Sequence, residues 1–220
     1  MNVKDDPLAK IMPTEILNKE GKVISNSSSK SFHQPSKLDE GTINFQVHKD
    51  MQTHRKLFVE AIIEPIRNQI LLEHFITLRH LFPLVVNNPF IPEGREEIYV
   101  RGLLSGLQGD FLVSSHLLIP QLENSIRYIL TKEGEIVSNL DKNGIQEEKN
   151  VNTLLYMPKL EELLGKDIVF DLQGLLVEKS GHNVRNIISH GLSSYDDFNS
   201  ITHVYTWWIT LKLCYLYKVG

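Results

Sequence analysis

Apolar side chains return every three or four positions along most of this chain, and that period decides its fold class. Phe45, Met51, Leu57, Phe58, Ala61 and Ile62, then Ile66, Ile70, Leu71, Phe75, Leu78 and Leu81, form one run. Ile98, Leu103, Leu104 and Leu107 form a second, and Phe198, Ile201, Val204, Tyr205, Trp208, Leu211 and Tyr215 a third. Such spacing lays the apolar groups along one stripe of an α-helix, and a helix hides its stripe only against neighbours. The expected fold is all-α, a helical bundle.

Prolines, glycines and polar tracts divide the bundle. Residues 1–41 hold Pro7, Pro13, Pro35 and a serine-rich tract between Ser25 and Ser31, and read as an irregular arm with a short extended piece around Gly21–Ser25. Residues 42–90 read as an N-terminal helical segment, split or kinked at Pro65 and broken by Pro83, Asn87-Asn88-Pro89 and Pro92. Residues 91–220 read as the main bundle. Its first helix opens at Glu93-Gly94-Arg95 and closes near Gly109, and Gly102 and Gly106 within it predict close helix contact. A second runs from Asp110 to about Leu130 with a kink at Pro120. Residues 131–153 form a turn-rich insertion with a β-hairpin expected around Asn143-Gly144. Short helices follow at Met157–Leu164, closed by Gly165, and at Asp167–Glu178. Ser194-x-x-Asp197 is a start signal for the last helix, and at least one of Trp207 and Trp208 belongs to the core.

Composition limits function. With 220 residues, 41% hydrophobic and 23% charged, the chain can bury one sizeable core. A net charge of -4 gives no overall basic field to gather nucleic acid, so any such contact needs a local patch. Cys214 is the single cysteine, which points to a reducing cytoplasm, and MNVKDDPLAK lacks the apolar core of a signal peptide. The apolar run Ile201–Val219 is interrupted by His203, Lys212 and Lys218, as in a packed helix and unlike a membrane span. Histidines elsewhere are too scattered to hold a metal, and no cofactor is expected.

The richest polar chemistry lies in Gly181–Leu192, where Asn183 is the expected N-cap of a helix carrying Arg185 and Asn186 in its first turn. Guanidinium plus free N–H groups would there offer an anion site. Asn186 and His190, four apart, share a face, while Arg185 lies roughly 140° from His190. Both reach one phosphate only if the helix start is distorted or a second copy of the chain supplies part of the site. His116, Glu123 and Arg127 fall within about 40° of one another on their helix. They form either a solvated edge with a Glu–Arg pair or a stripe facing Arg185 and His190.

Arg185-Asn186-x-x-x-His190 resembles the Arg-x4–6-His signature of the HEPN superfamily, helical bundles that include many metal-independent RNases. Gly109-Asp110, the run from His116 to Arg127, and the block from Asn183 to Gly191 together resemble its domain of unknown function 4209 branch, over about Ile91 to the C-terminus. The resemblance implies a HEPN-like bundle extended by N-terminal helices, acting as a homodimeric endoribonuclease that cuts RNA by 2′-hydroxyl attack. His190 would be the acid/base, Arg185 the phosphate clamp and Asn186 a positioning group. Glu123, Arg127, His116, His182 and Asn183 would support them. It also implies a toxin-like or phage-defence setting, an inhibitory or effector protein partner, and longer relatives of which this chain is a fragment or shortened copy. The competing reading is a noncatalytic module that binds RNA, a nucleotide or a protein.

Overall fold

The computed structural model of the chain describes residues 15–17, 23–26, 40–140, 146–178 and 181–219. The first apolar run folds end to end as α1 (Glu40–Phe58), a π-helical turn (Val59–Ile63) and α2 (Glu64–Glu73). The wide turn accommodates Pro65. Proline has no N–H to offer the carbonyl four residues back. Here the Glu64 N–H reaches five residues back, to the Val59 oxygen, and Pro65 enters the first turn of α2.

The helix stops earlier than the apolar spacing predicts. His74 turns to extended backbone, and Thr77 caps a separate α3 (Leu78–Val85). Its N–H donates to His80 Nδ1 at 3.0 Å, so a histidine fills the place of the usual Glu or Gln. Pro83, expected at a break, lies inside α3. Pro83 and Arg79, whose carbonyl loses a donor, are both exposed, so water can serve that oxygen.

Helices α4 (Glu96–Leu107) and α5 (Phe111–Lys132) form an antiparallel hairpin around Gly109, whose φ of +88° only glycine adopts at little cost. Asp110 starts α5 by accepting from the Val113 N–H at 3.0 Å, and α5 runs on through Pro120. Close contact falls where Gly102 and Gly106 predict it. A Cβ on Gly102 would sit 2.6 Å from Leu118, and one on Gly106 only 2.2 Å from the Trp207 ring.

Strands β1 (Glu15–Leu17) and β2 (Val23–Asn26) pair antiparallel with Ile16 opposite Ser25, a strand pair where a lone extended piece was expected. Most of the arm lies outside the described residues. Strands β3 (Ser138–Leu140) and β4 (Gln146–Glu148) form the expected hairpin, and its Asn143-Gly144 turn also lies outside them. Four short helices follow: α6 (Val151–Leu154), α7 (Pro158–Leu164), α8 (Lys166–Leu176) and α9 (Val184–Ser189).

The Ser194–Asp197 signal caps a 3-10 turn (Tyr195–Asn199) ahead of the long α10 (Ile201–Val219), not α10 itself. Asp197 Oδ2 accepts from both the N–H and the hydroxyl of Ser194 at 2.8 Å. Trp207 is the core tryptophan, buried and donating Nε1–H to the Leu103 carbonyl at 2.9 Å. Val59 and Ile63 share one core with Leu103, Leu122, Ile126, Leu172 and Leu213, so the N-terminal helices are built into the bundle. No helix among the described residues is long and apolar enough to cross a membrane.

Gly106→Ala should destabilise the chain by about 1–3 kcal/mol, because the new methyl displaces a hydrogen-bonded indole. The change is read as a lower urea midpoint at unchanged m-value.

Candidate functional site

Asn183 does precede α9, but its backbone is left-handed at φ 51° and ψ 34°, and its side chain caps no N–H. N-capping needs the extended backbone that orients the side chain over the first turn. Asn183 Oδ1 instead accepts from Asn186 Nδ2 at 2.7 Å. The first-turn N–H groups of α9 therefore receive no cap from Asn183.

Asn186 spends its other end on the arginine beside it, its Oδ1 accepting from Arg185 Nη1 at 3.2 Å. Arg185 Nε donates to Glu123 Oε2 at 3.2 Å, while Glu123 Oε1 accepts from Arg127 Nη2 at the same distance. One carboxylate thus bridges two guanidiniums. Arg127 also donates to the Lys149 carbonyl at 3.0 Å, and its Nε lies 3.0 Å from Glu148 Oε2, an ion pair without hydrogen-bond alignment. So the α5 stripe brings Glu123 and Arg127 against Arg185. His116 departs from it, with Nδ1 at 2.8 Å from the Leu112 carbonyl and its ring against Phe198.

Two guanidiniums facing two carboxylates cancel in formal charge, so the cluster holds side chains in place and projects little field. Arg185 Nη2 has no acceptor among the described residues. His190 caps the far end of α9 with its side chain exposed and no hydrogen bond or ion pair within the described residues. Within one chain, Arg185 and His190 do not meet. Ser189 Oγ donates to the Arg185 carbonyl at 2.8 Å, an ordinary helix back-bond.

His182 turns inward. Its Nδ1 lies 2.9 Å from Thr202 Oγ1, and burial first, then Arg55 and His203, holds its pKa down to about 4. His203 is buried as well, 2.8 Å from Ser115 Oγ, and burial lowers its pKa to about 4 against the opposing pull of Asp197.

A second ionic cluster escaped the sequence reading altogether. Arg55 of α1, 3% exposed, donates from Nε to Asp171 Oδ1 at 2.8 Å and from Nη2 to the same oxygen at 2.6 Å. Tyr205 Oη donates to Asp171 Oδ2 at 2.6 Å. A signal for it was present. Asp171 lies three residues after Ile168 and four before Leu175, on an otherwise apolar face, and a carboxylate there requires a buried partner. Which partner was not legible, because Arg55 lies 116 residues away.

The fold and these two clusters define an all-α bundle tied by ion pairs between distant helices. No family model, no curated protein and no solved structure matches the chain.

Asp171→Ala strands a buried guanidinium and should cost about 3–5 kcal/mol, whereas Arg127→Ala, at a more exposed pair, should cost about 1. Urea midpoints of the two variants test the contrast. The buried histidines set a pH dependence. Their folded pKa of about 4 lies below the ordinary value of 6.5 that returns on unfolding, so the unfolded chain binds more protons between the two. Stability should be complete above about pH 6.5 and fall as pH drops toward 4, by on the order of 2–3 kcal/mol for each histidine. Urea midpoints at pH 7.5 and at pH 5 measure the loss.

Proposed function

We propose that the chain is a metal-independent endoribonuclease of HEPN type that acts on RNA as a homodimer. The observation that carries the reading is α9 itself. One end presents a guanidinium anchored by Glu123 and Asn186 with Nη2 still free, and the other presents an uncovered imidazole. Arginine binds phosphate oxygens through paired N–H groups, and histidine transfers protons near neutral pH. His190 takes the ribose 2′-hydroxyl proton, the oxygen attacks phosphorus, and the bond to the 5′-oxygen breaks as the imidazolium returns a proton to that oxygen. A 2′,3′-cyclic phosphate is left. Arg185 Nη2 steadies the charge on the phosphate.

Because the two groups point apart on one helix, a second copy related by a two-fold axis supplies the missing imidazole at each site. A toxin-like or phage-defence role in the bacterial cytoplasm, with an inhibitory or effector protein partner, belongs to the same proposal. It rests on the resemblance of the Arg185–His190 motif.

A second reading is favoured by the charge balance at Glu123. Arginines paired with Glu123 and Glu148 within the chain suit a structural role for the cluster, as in a noncatalytic module that binds RNA, a nucleotide or a protein through other groups. The test is incubation of the purified protein with tRNA and mixed RNA in EDTA, beside His190→Ala and Arg185→Ala. Cleavage reduced about 100-fold or more by either substitution is the expected result. Intact RNA, with binding unchanged in both variants, rejects the enzyme and leaves the module.

A further inference from the structure

An open cleft of about 500 Å³ lies between α1, α8 and α10 and takes no part in the chemistry above. Its buried floor is the Arg55–Asp171–Tyr205 cluster, in which each oxygen of Asp171 already accepts a hydrogen bond. In that floor Arg55 and Asp171 balance in formal charge, while Arg55 Nη1 is buried without a hydrogen-bond acceptor among the described residues. Above it stand Met51, Phe58, Ile168 and Ile209, with Trp208 bracing the Phe58 ring at 4.9 Å and the Tyr205 ring at 5.4 Å.

Two groups of opposite sign are left at the mouth. Asp167, in the first turn of α8, is exposed, and Lys212, two turns beyond Tyr205 on α10, is half-buried with its ammonium 5.2 Å from the Trp208 ring centre. Neither makes an ion pair within the described residues, and they do not pair with each other although both line the cleft. Exposed His54 stands on the same rim.

A wholly apolar ligand would leave both rim charges partly desolvated, and a singly charged one would satisfy one of them. A molecule whose head carries both charges and whose tail is apolar satisfies the rim and the walls together. We propose that this cleft binds an α-amino acid with an aromatic or branched aliphatic side chain. Its ammonium meets Asp167, its carboxylate meets Lys212 and His54, and its side chain lies on Phe58, Ile168 and Ile209. The volume falls within the range of small-molecule sites, with room for the largest natural side chains.

The inference is independent of the ribonuclease reading. Calorimetric titration of the full chain with L-phenylalanine and L-leucine, to about 10 mM, tests it against glycine, phenethylamine and 3-phenylpropionate. Saturable binding of at least one of the two amino acids is expected, with glycine and both half-ligands at least about tenfold weaker. Asp167→Asn and Lys212→Met should each weaken binding about tenfold while leaving the urea midpoint in place, since both side chains lie at the rim and methionine keeps the stem over Trp208. Absence of saturable binding by both amino acids, a half-ligand that binds as well as the amino acid, or wild-type affinity in either variant overturns the proposal.

Discussion

A guanidinium that is 3% exposed cannot stand alone, and Arg55 meets its counter-charge through Nε and Nη2 while Nη1 keeps no acceptor among the described residues. Its partner Asp171 is on α8 and the hydroxyl completing Asp171 is on α10, so one carboxylate ties together three helices that contribute little to each other in sequence. Apolar packing alone would let α1 slide or rotate along its neighbours at modest cost. The ion pair favours one register, the same one in which Phe58 meets Trp208 and Val59 and Ile63 are buried.

Glu123 does for α5, α9 and the hairpin what Asp171 does for α1, α8 and α10, but in wetter surroundings. It fixes the orientation of Arg185 and Arg127 without burying either, which leaves a guanidinium edge facing solvent. The two clusters thus divide the labour. The buried one sets how the helices sit, and the half-buried one presents polar groups where a ligand can reach them.

What the sequence made legible is what local rules govern. The helical period, the Pro65 disturbance, the helix start at Asp110, the Gly165 stop, the hairpin and the tight packing at Gly102 and Gly106 each depend on a few neighbouring residues. Where reading failed, a choice between two locally acceptable states was made elsewhere in the fold. Asn183 could cap or adopt a left-handed turn, and the contact of its amide with Asn186 accompanies the second. Ser194–Asp197 is a sound cap whose helix is a single 3-10 turn. The stripe on α5 split, because Glu123 and Arg127 met α9 and β4 while His116 met Phe198. At the candidate site, the proximity of Glu123 to Arg185 was available as one of two alternatives, and the Arg55–Asp171 pair was not, since no short-range pattern encodes it.

The π turn at Val59–Ile63 holds one residue more than a regular helix would use over the same rise. Everything on its N-terminal side is therefore rotated about the axis by about 100° relative to an uninterrupted helix. Removing a single residue there would straighten the backbone yet swing Arg55 off Asp171. This surplus residue works as a phase setting between two halves of one rod, and the length of the segment is constrained more tightly than its composition.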